Sequence, residues 1–190
     1  MPTNPFSPVI DCVCRVHGYP WKPISNGQCA VALSGLAGLF ALLATDDDGF
    51  MFLDHVNLVF HEAGHPLFGI FGETMGLYGG TLGQLAMPFL VWLAFWRQRD
   101  ALGCTVAGVW FFENFLNVAR YMADARAQAL PLVGGGEHDW EQIFGRWGVL
   151  ASDTVIAHRV AVLGWIGMLA MCAWLGWRWY RSGRHDFTPS

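Results

Sequence analysis

Long apolar stretches alternate with short polar turns along the 190 residues of this chain. Three of the stretches carry no charged residue: residues 23–45, 74–96 and 160–177. Each is long enough to cross the roughly 30 Å hydrocarbon layer of a bilayer as a helix. Two further apolar segments, at about 50–72 and 101–123, contain isolated polar residues. The pattern predicts an all-α polytopic membrane helix bundle with about four to five transmembrane helices.

Polar sequence divides the chain into an arm, a membrane domain and a tail. We expect a polar N-terminal arm over residues 1–22, a single transmembrane helical domain over 23–180, and a polar tail over 181–190. Within the membrane domain, residues 124–154 are rich in charge and glycine and predict a polar outer loop. No linker or internal repeat marks a second domain.

Composition agrees with a membrane location. Apolar residues make up 54% of the chain, charged residues only 14%, and the mean hydropathy is +0.34. The net charge of −4 is small, and no basic aromatic patch occurs. We therefore expect the lipid bilayer as a partner and no nucleic acid. The sequence does not indicate the oligomeric state.

Basic residues predict the orientation. They follow the third segment at 97–99 and the fifth segment at 178–184, which places both ends, and hence the C-terminus, on the cytoplasmic side of a bacterial inner membrane. Arg15 and Lys22 favour the same side for the N-terminal arm. That arrangement requires one segment to bend back or re-enter, and the second segment is the best candidate.

The second segment carries a candidate metal motif, His61-Glu62-Ala63-Gly64-His65. On a helix, this spacing puts two imidazoles one turn apart on one face, where both can bind one ion. Glu62 can then take a proton from water that zinc has made acidic. Ionisable residues within apolar segments are costly and usually functional, which favours a metal site over buried structural histidines.

Polar residues recur at helical spacing on both the second and the fourth segment. They are Asp54, Asn57, His61 and His65 on the second, and Glu113, Asn117, Arg120 and Asp124 on the fourth. Two such stripes predict helices that face each other around a polar cavity, with Asp54 and Asn57 able to orient an imidazole. A hydrogen-bonded packing seam is the alternative.

A catalytic zinc site normally has three protein ligands, so a third must be found. Asp124 is the first choice, and Glu113 is a rival at a similar distance along its segment. His138 and Asp139 are alternatives if the outer loop folds back; otherwise they belong to a capped surface turn. Arg120 either offsets the charge of Glu113 or stabilises an oxyanion.

Glycine and proline predict the shape of the backbone near the motif. Gly76, Gly79, Gly80 and Gly83 include pairs at the spacing that lets membrane helices approach closely. Packing is one interpretation. In the other, Gly79 and Gly80 leave an extended backbone beside the site that can pair with an unfolded substrate strand. Pro66, directly after the motif, predicts that the helix kinks or ends there.

With these residues, the chain resembles the intramembrane zinc metalloproteases of the site-2 protease, or M50-like, class. The resemblance rests on His61, Glu62 and His65, the glycine-rich segment that follows, and an aspartate on a later helix. It implies one Zn²⁺ per chain held by His61, His65 and Asp124, with Glu62 as catalytic base and a membrane protein or peptide as substrate. The chain is also similar to small bacterial membrane proteins that carry the same HEAGH segment.

Other functions fit the same motif. HEAGH also satisfies His-x-x-x-His, which occurs in di-iron lipid desaturases and hydroxylases, although these need about eight histidines in clusters and this chain has seven. A zinc lipid amidase would use the motif as a protease does. A non-catalytic scaffold, metal sensor or metal carrier would instead have a closed site.

Overall fold

The computed structural model describes residues 19–45, 51–133 and 137–185, with side chains up to residue 183. Within these ranges the chain is helical and contains no strand, so the predicted all-α bundle is confirmed. The helices are α1 (Asn26–Thr45), α2 (Phe52–Gly69), α3 (Glu73–Arg97), α4 (Ala101–Ala123), α5 (Asp139–Trp147) and α6 (Asp153–His185). Most of the predicted arm, including Arg15, and half of the predicted tail lie outside the described residues.

Four helices are long and apolar enough to cross a membrane: α1, α3, α4, and α6 together with the 3-10 turn before it. They make this an integral membrane protein. The motif helix α2 has 18 residues and is not among the four, although apolar side chains such as Val59 and Leu67 are exposed on its outer side. In a membrane, that side of α2 would face lipid.

The long connection between α4 and α6 differs from the predicted polar loop. It contains α5, whose apolar side chains Trp140, Ile143 and Phe144 are buried against Val118 and Met122 of α4. The nine residues of α5 have a charged side as well as an apolar side, so their average composition does not reveal the apolar face. The connection therefore belongs to the packed bundle.

Helix directions follow from which residues meet. Cys29 of α1 shares an apolar cluster with Leu175, near the far end of α6, so α1 and α6 are antiparallel. The same cluster contains Ala101, the first residue of α4, so α4 and α6 are antiparallel as well. In α2, Asn57 bonds Glu113 of α4 and His61 lies beside Tyr121, so α2 runs parallel to α4. Hence α1 and α2 run in the same direction although they are consecutive, which fits the expectation that the second segment does not cross as a simple span.

The backbone N–H of Lys22 donates to the carbonyl of Arg99 at 2.9 Å, and Trp21 packs between Trp96 and Trp174. The start of α1, the turn between α3 and α4, and the end of α6 thus meet at one end of the bundle. We name this the basic end, and the opposite end the site end.

Of the two outcomes predicted at Pro66, a kink or an end, the structure excludes the end. Helix α2 continues for three residues to Gly69, and the turn into α3 is made by Gly72 at φ +115°, a conformation that favours glycine. Pro66 lacks the N–H that would bond the carbonyl of Glu62, so the last turn of α2 has one hydrogen bond fewer. Contacts with α3 hold that turn in place.

Glycines let α2 and α3 approach until their backbones touch. A Cβ on Gly64 would collide with the carbonyl of Gly79, and one on Gly79 would lie 2.5 Å from the carbonyl oxygen of Gly64. Gly83 is equally restricted, 2.6 Å from the carbonyl oxygen of Phe60. The expectation of an extended substrate-pairing backbone at Gly79 and Gly80 is therefore corrected: both are buried within helix α3, where their backbone groups serve the helix and its packing.

We predict that Gly79→Ala destabilises the protein and that Gly38→Ala does not. The first change forces two backbones apart, and overpacking of this kind costs about 1–3 kcal/mol. Gly38 on α1 has no atom within 4 Å of an added Cβ, so that change only improves helix propensity. Thermal unfolding in detergent measures both. Equal midpoints for the two variants would show that the α2–α3 contact is not tight.

Candidate metal centre

Two histidines of α2 and an aspartate of α5 converge on one point. His61 Nε2 lies 2.9 Å and His65 Nε2 lies 3.3 Å from the same oxygen, Oδ2 of Asp139. The ligand atoms of the three residues all lie within 4.8 Å of one another. Two imidazoles and one carboxylate are a donor set that catalytic zinc sites use.

The other nitrogen of each imidazole is held by an acceptor. His61 Nδ1 lies 3.3 Å from Oε1 of Gln84, and His65 Nδ1 lies 2.9 Å from the backbone carbonyl of Gly76. Because both partners accept, each Nδ1 carries the proton and donates it. Both Nε2 lone pairs then point at Asp139.

A short relay fixes the orientation of Gln84. Asn117 Nδ2 donates to Asp54 Oδ1 at 2.7 Å, so Oδ1 of Asn117 is left to accept from Gln84 Nε2 at 2.6 Å. The amide oxygen of Gln84 must then face His61. A buried carboxylate thus sets the tautomer of a histidine through two amides, which is the usual role of groups behind a metal ligand.

The arrangement of charges and lone pairs could hold a cation. Neutral imidazoles with the proton on Nδ1 present lone pairs at Nε2, and these would face a carboxylate oxygen across about 3 Å. One charged imidazole would donate to Asp139 but leave the other lone pair facing the carboxylate, and two charged imidazoles would bring like charges together on rings whose centroids are 5.0 Å apart. A metal ion removes both conflicts, because all three atoms become its ligands. The residues therefore fit a divalent metal.

Gly80 makes room for the imidazoles. A Cβ at this position would lie 2.6 Å from His61 Nε2 and 2.7 Å from His65 Nε2, at the atoms that would bind the metal. Gly80 had two interpretations, close helix packing or a backbone open to a substrate, and the contacts agree with packing. Its observed role is to bring α3 close without filling the centre.

Helix α5 carries Asp139 into the site from a distant part of the sequence. His138 caps this helix, since its Nδ1 accepts from the backbone N–H of Glu141 at 3.3 Å. Burial lowers the pKa of His138, which keeps the ring neutral and able to accept. The backbone N–H of Asp139 donates to the hydroxyl of Tyr121 at 3.2 Å. These contacts hold Asp139 over the histidines.

Asp124, the expected third ligand, lies outside this group. Its two oxygens accept from the backbone N–H groups of Ala129 and Leu130 at 2.9 and 3.1 Å, and Oδ2 is 3.5 Å from His138 Nε2. Asp124 thus folds the chain after α4 and supports the cap of α5. The structure brings Asp139, one of the alternatives, to the histidines in its place.

The two polar stripes face each other, and part of their contact is the hydrogen-bonded seam that was the alternative. Besides the relay from Asp54 through Asn117, Asn57 Nδ2 donates to Glu113 Oε2 at 3.1 Å, and Trp110 Nε1 donates to Asn57 Oδ1 at 2.9 Å. Glu113 is fully buried there and is not part of the metal group. Asn57 thus orients Glu113. Asp54 orients the imidazole of His61 through Asn117 and Gln84.

A cavity of about 990 Å³ opens beside the three ligands. Glu62 is exposed on α2 and lines it, as do Arg120 and Tyr121 of α4. Part of its wall is apolar and part is charged. The apolar residues are Leu58, Leu77, Leu130, Pro131, Leu132 and Val133, and the other polar or charged ones include His55, Glu73, Glu137 and Arg146.

Gln84 and Tyr121 were not predicted as parts of the site. Gln84 had a usable signal, because an amide in the middle of an uncharged membrane segment needs a hydrogen-bond partner. Tyr121 had none, since aromatic residues are common throughout this chain.

Comparisons with models of known protein families, with curated proteins and with solved structures give no match. The resemblance to site-2 proteases therefore rests on the residues themselves. The function has to be argued from the geometry of this site.

We predict that Asp139→Ala abolishes stoichiometric metal binding, whereas Asp124→Ala leaves the metal ligands in place. The two changes are chemically identical and remove carboxylates from the same connection. Metal content of the purified variants measures the difference. Loss of metal only in Asp124→Ala, with Asp139→Ala fully loaded, would restore Asp124 as the ligand.

We further predict that Gln84→Leu weakens metal binding by roughly 10–100-fold, the usual effect of removing a group behind a ligand. Leucine is of similar size but cannot accept the proton of His61 Nδ1, so the Nε2 lone pair is no longer enforced. Gln84→Glu keeps the acceptor for His61 Nδ1 but loses the Nε2 donor to Asn117 at 2.6 Å, so it tests the acceptor apart from the rest of the relay. Competition with a chromophoric chelator gives the affinities. Unchanged affinity in Gln84→Leu would remove the relay from the metal centre.

Proposed function

We propose that this protein is a membrane-embedded zinc metalloprotease that hydrolyses peptide bonds of membrane-associated substrates. The observation that carries the proposal is the convergence of two imidazole nitrogens and a carboxylate oxygen beside an open cavity that Glu62 also lines. A structural metal site needs no cavity of this size and no further carboxylate at its edge.

His61, His65 and Asp139 would hold one Zn²⁺ per chain. A zinc ion held there supplies Lewis-acid chemistry, which makes water acidic enough to lose a proton near neutral pH and polarises a carbonyl. The protein fixes the orientation of each donor: Gln84 and the carbonyl of Gly76 direct the imidazoles, and α5 directs Asp139.

Glu62 is the proposed general base. It follows His61 on α2, is exposed, and borders the same cavity. Its carboxylate would accept a proton from the attacking water and deliver it to the nitrogen of the leaving amine, as the general acid–base role requires. Arg120 of α4 also borders the cavity, and its positive charge would stabilise the carbonyl oxygen as it becomes negative.

The site lies near one face of the membrane in this proposal. Gly76 and Gly80, which contact the histidines, are three and seven residues from the start of α3, so about 5–10 Å below the site end. With the basic end cytoplasmic, the cavity opens toward the outside of a bacterial inner membrane. Substrate segments at the outer membrane boundary fit an entrance that is part apolar and part charged.

A zinc lipid amidase is the second candidate. It is favoured by the six apolar residues of the cavity wall, which suit an acyl chain, and it would use the same ligands and base. A di-iron lipid oxygenase fits less well, because the one metal group within the described ranges has two histidines rather than several clusters.

We predict that Glu62→Gln keeps the metal and loses hydrolysis. Glutamine cannot take up a proton, and loss of a general base slows such reactions by about 10²–10⁴-fold. Glu73→Gln, the same change on the rim of the same cavity, is the matched control. Zinc content and the membrane proteomes of cells that carry each variant give the readout.

Peptide products that depend on Glu62 support the protease, and acyl products that depend on Glu62 support the amidase. Normal cleavage by Glu62→Gln would exclude Glu62 as the base. A wild-type protein that binds zinc and yields no product of either kind would favour a metal sensor or carrier.

A further inference from the structure

Aromatic and guanidinium groups alternate at the basic end, far from the metal centre. The guanidinium of Arg178 lies 5.0 Å from the ring of Trp21 and 5.7 Å from that of Trp177. Arg99 lies 5.1 Å from the same Trp21 ring, and Arg181 lies 5.1 Å from Trp177. Two rings thus contact three arginines in one compact cluster, near the C-terminal end of the apolar part of α6.

Among the described residues, positive charge exceeds negative charge at this end. Asp100 is the acidic side chain that the structure describes here, and it is already bound twice: it caps α4 through the N–H of Gly103 at 3.0 Å and pairs with Lys22 Nζ at 3.0 Å. Packing three guanidinium groups around two rings brings like charges together, and cation–π contacts of about 0.5–2 kcal/mol each offset only part of that repulsion. An anion would complete the cluster.

A buried donor points to where the anion binds. The Nε–H of Arg178 is buried and has no hydrogen-bond partner within the described part of the chain. A buried donor without a partner costs about 1–3 kcal/mol. The planar guanidinium has five donors suited to the oxygens of a phosphate, which can satisfy Nε–H and a neighbouring N–H together.

We propose that the basic end holds the phosphate of an anionic phospholipid, with Arg178 and Arg181 as its principal ligands. A lipid, and not a soluble anion, is favoured by the position and the surroundings. Trp177, Trp179 and Tyr180 are exposed around the cluster, and tryptophan and tyrosine mark the headgroup level of membrane proteins. Basic pockets between helices on the cytoplasmic side are suited to such headgroups.

The site is independent of the proposed protease chemistry. It lies at the opposite end of α6 and shares no residue with the cavity. Trp21 and Arg99 join the segment before α1, the α3–α4 turn and α6 through this cluster. A bound headgroup would therefore stabilise the junction of three separate segments.

Purified full-length protein in a neutral detergent tests the site. Phosphatidylglycerol, phosphatidylcholine and inorganic phosphate are titrated in separate arms, and the midpoint of thermal unfolding is followed. We expect phosphatidylglycerol to raise the midpoint and the other two to leave it unchanged. In Arg178→Gln the concentration of phosphatidylglycerol needed should rise roughly five-fold, the effect of removing one basic group beside an anionic headgroup.

Matched variants keep the result interpretable. Arg159→Gln removes an exposed arginine from the other end of α6 and should respond as wild type. Arg181→Gln tests the cluster without touching the buried Nε–H, in case Arg178→Gln does not fold. Equal effects of the two lipids, or wild-type responses in both cluster variants, would overturn the proposal. If inorganic phosphate reproduces the effect at equal concentration, the ligand is a soluble anion and the assignment to a lipid is wrong.

Discussion

The backbone contact between α2 and α3 is the constraint on which the site depends. Gly64 and Gly79 touch through atoms that any side chain would displace, and Gly80 leaves the space that two imidazoles occupy. The same closeness puts the carbonyl of Gly76 and the amide of Gln84 within reach of the histidine Nδ1 atoms. The orientation of the metal-binding histidines therefore depends on the glycine packing. With α2 and α3 farther apart, both imidazoles would lose their Nδ1 partners and could rotate.

The third ligand depends on a different kind of contact. Asp139 comes from a connection that folds back because α5 buries an aromatic face on α4 and α6. Asp124 contributes by binding the backbone after α4 instead of a metal. A buried carboxylate without a partner is costly. The carboxylate of Asp124 is paired with backbone N–H groups, and that of Asp139 would be paired with the proposed cation. This division of roles leaves the cavity beside Glu62 open.

The two ends of the bundle have distinct chemistry. The site end combines histidines, carboxylates and an open cavity. The basic end combines arginines with tryptophans and has Asp100 as its described carboxylate. Because four helices can span the membrane, the segment before α1, with Lys22, and the end of α6 lie at the same end of the bundle. Helix α2 is a fifth helix at the site end, and it runs in the same direction as α1. Separation of charge along the bundle is what orients such a protein in a membrane.

The sequence alone determined the helical class, the apolar segments, the metal motif and the two polar stripes, because these depend on composition and on a spacing of 3.6 residues. Local spacing could not select Asp139 over Asp124, since each lies in or beside the same connection and only the packing of α5 decides which one reaches His61. It also could not assign Gly80 or Gln84, whose roles arise where α3 meets α2. Contacts between segments far apart in the chain leave no periodic trace, so the tertiary structure had to supply them.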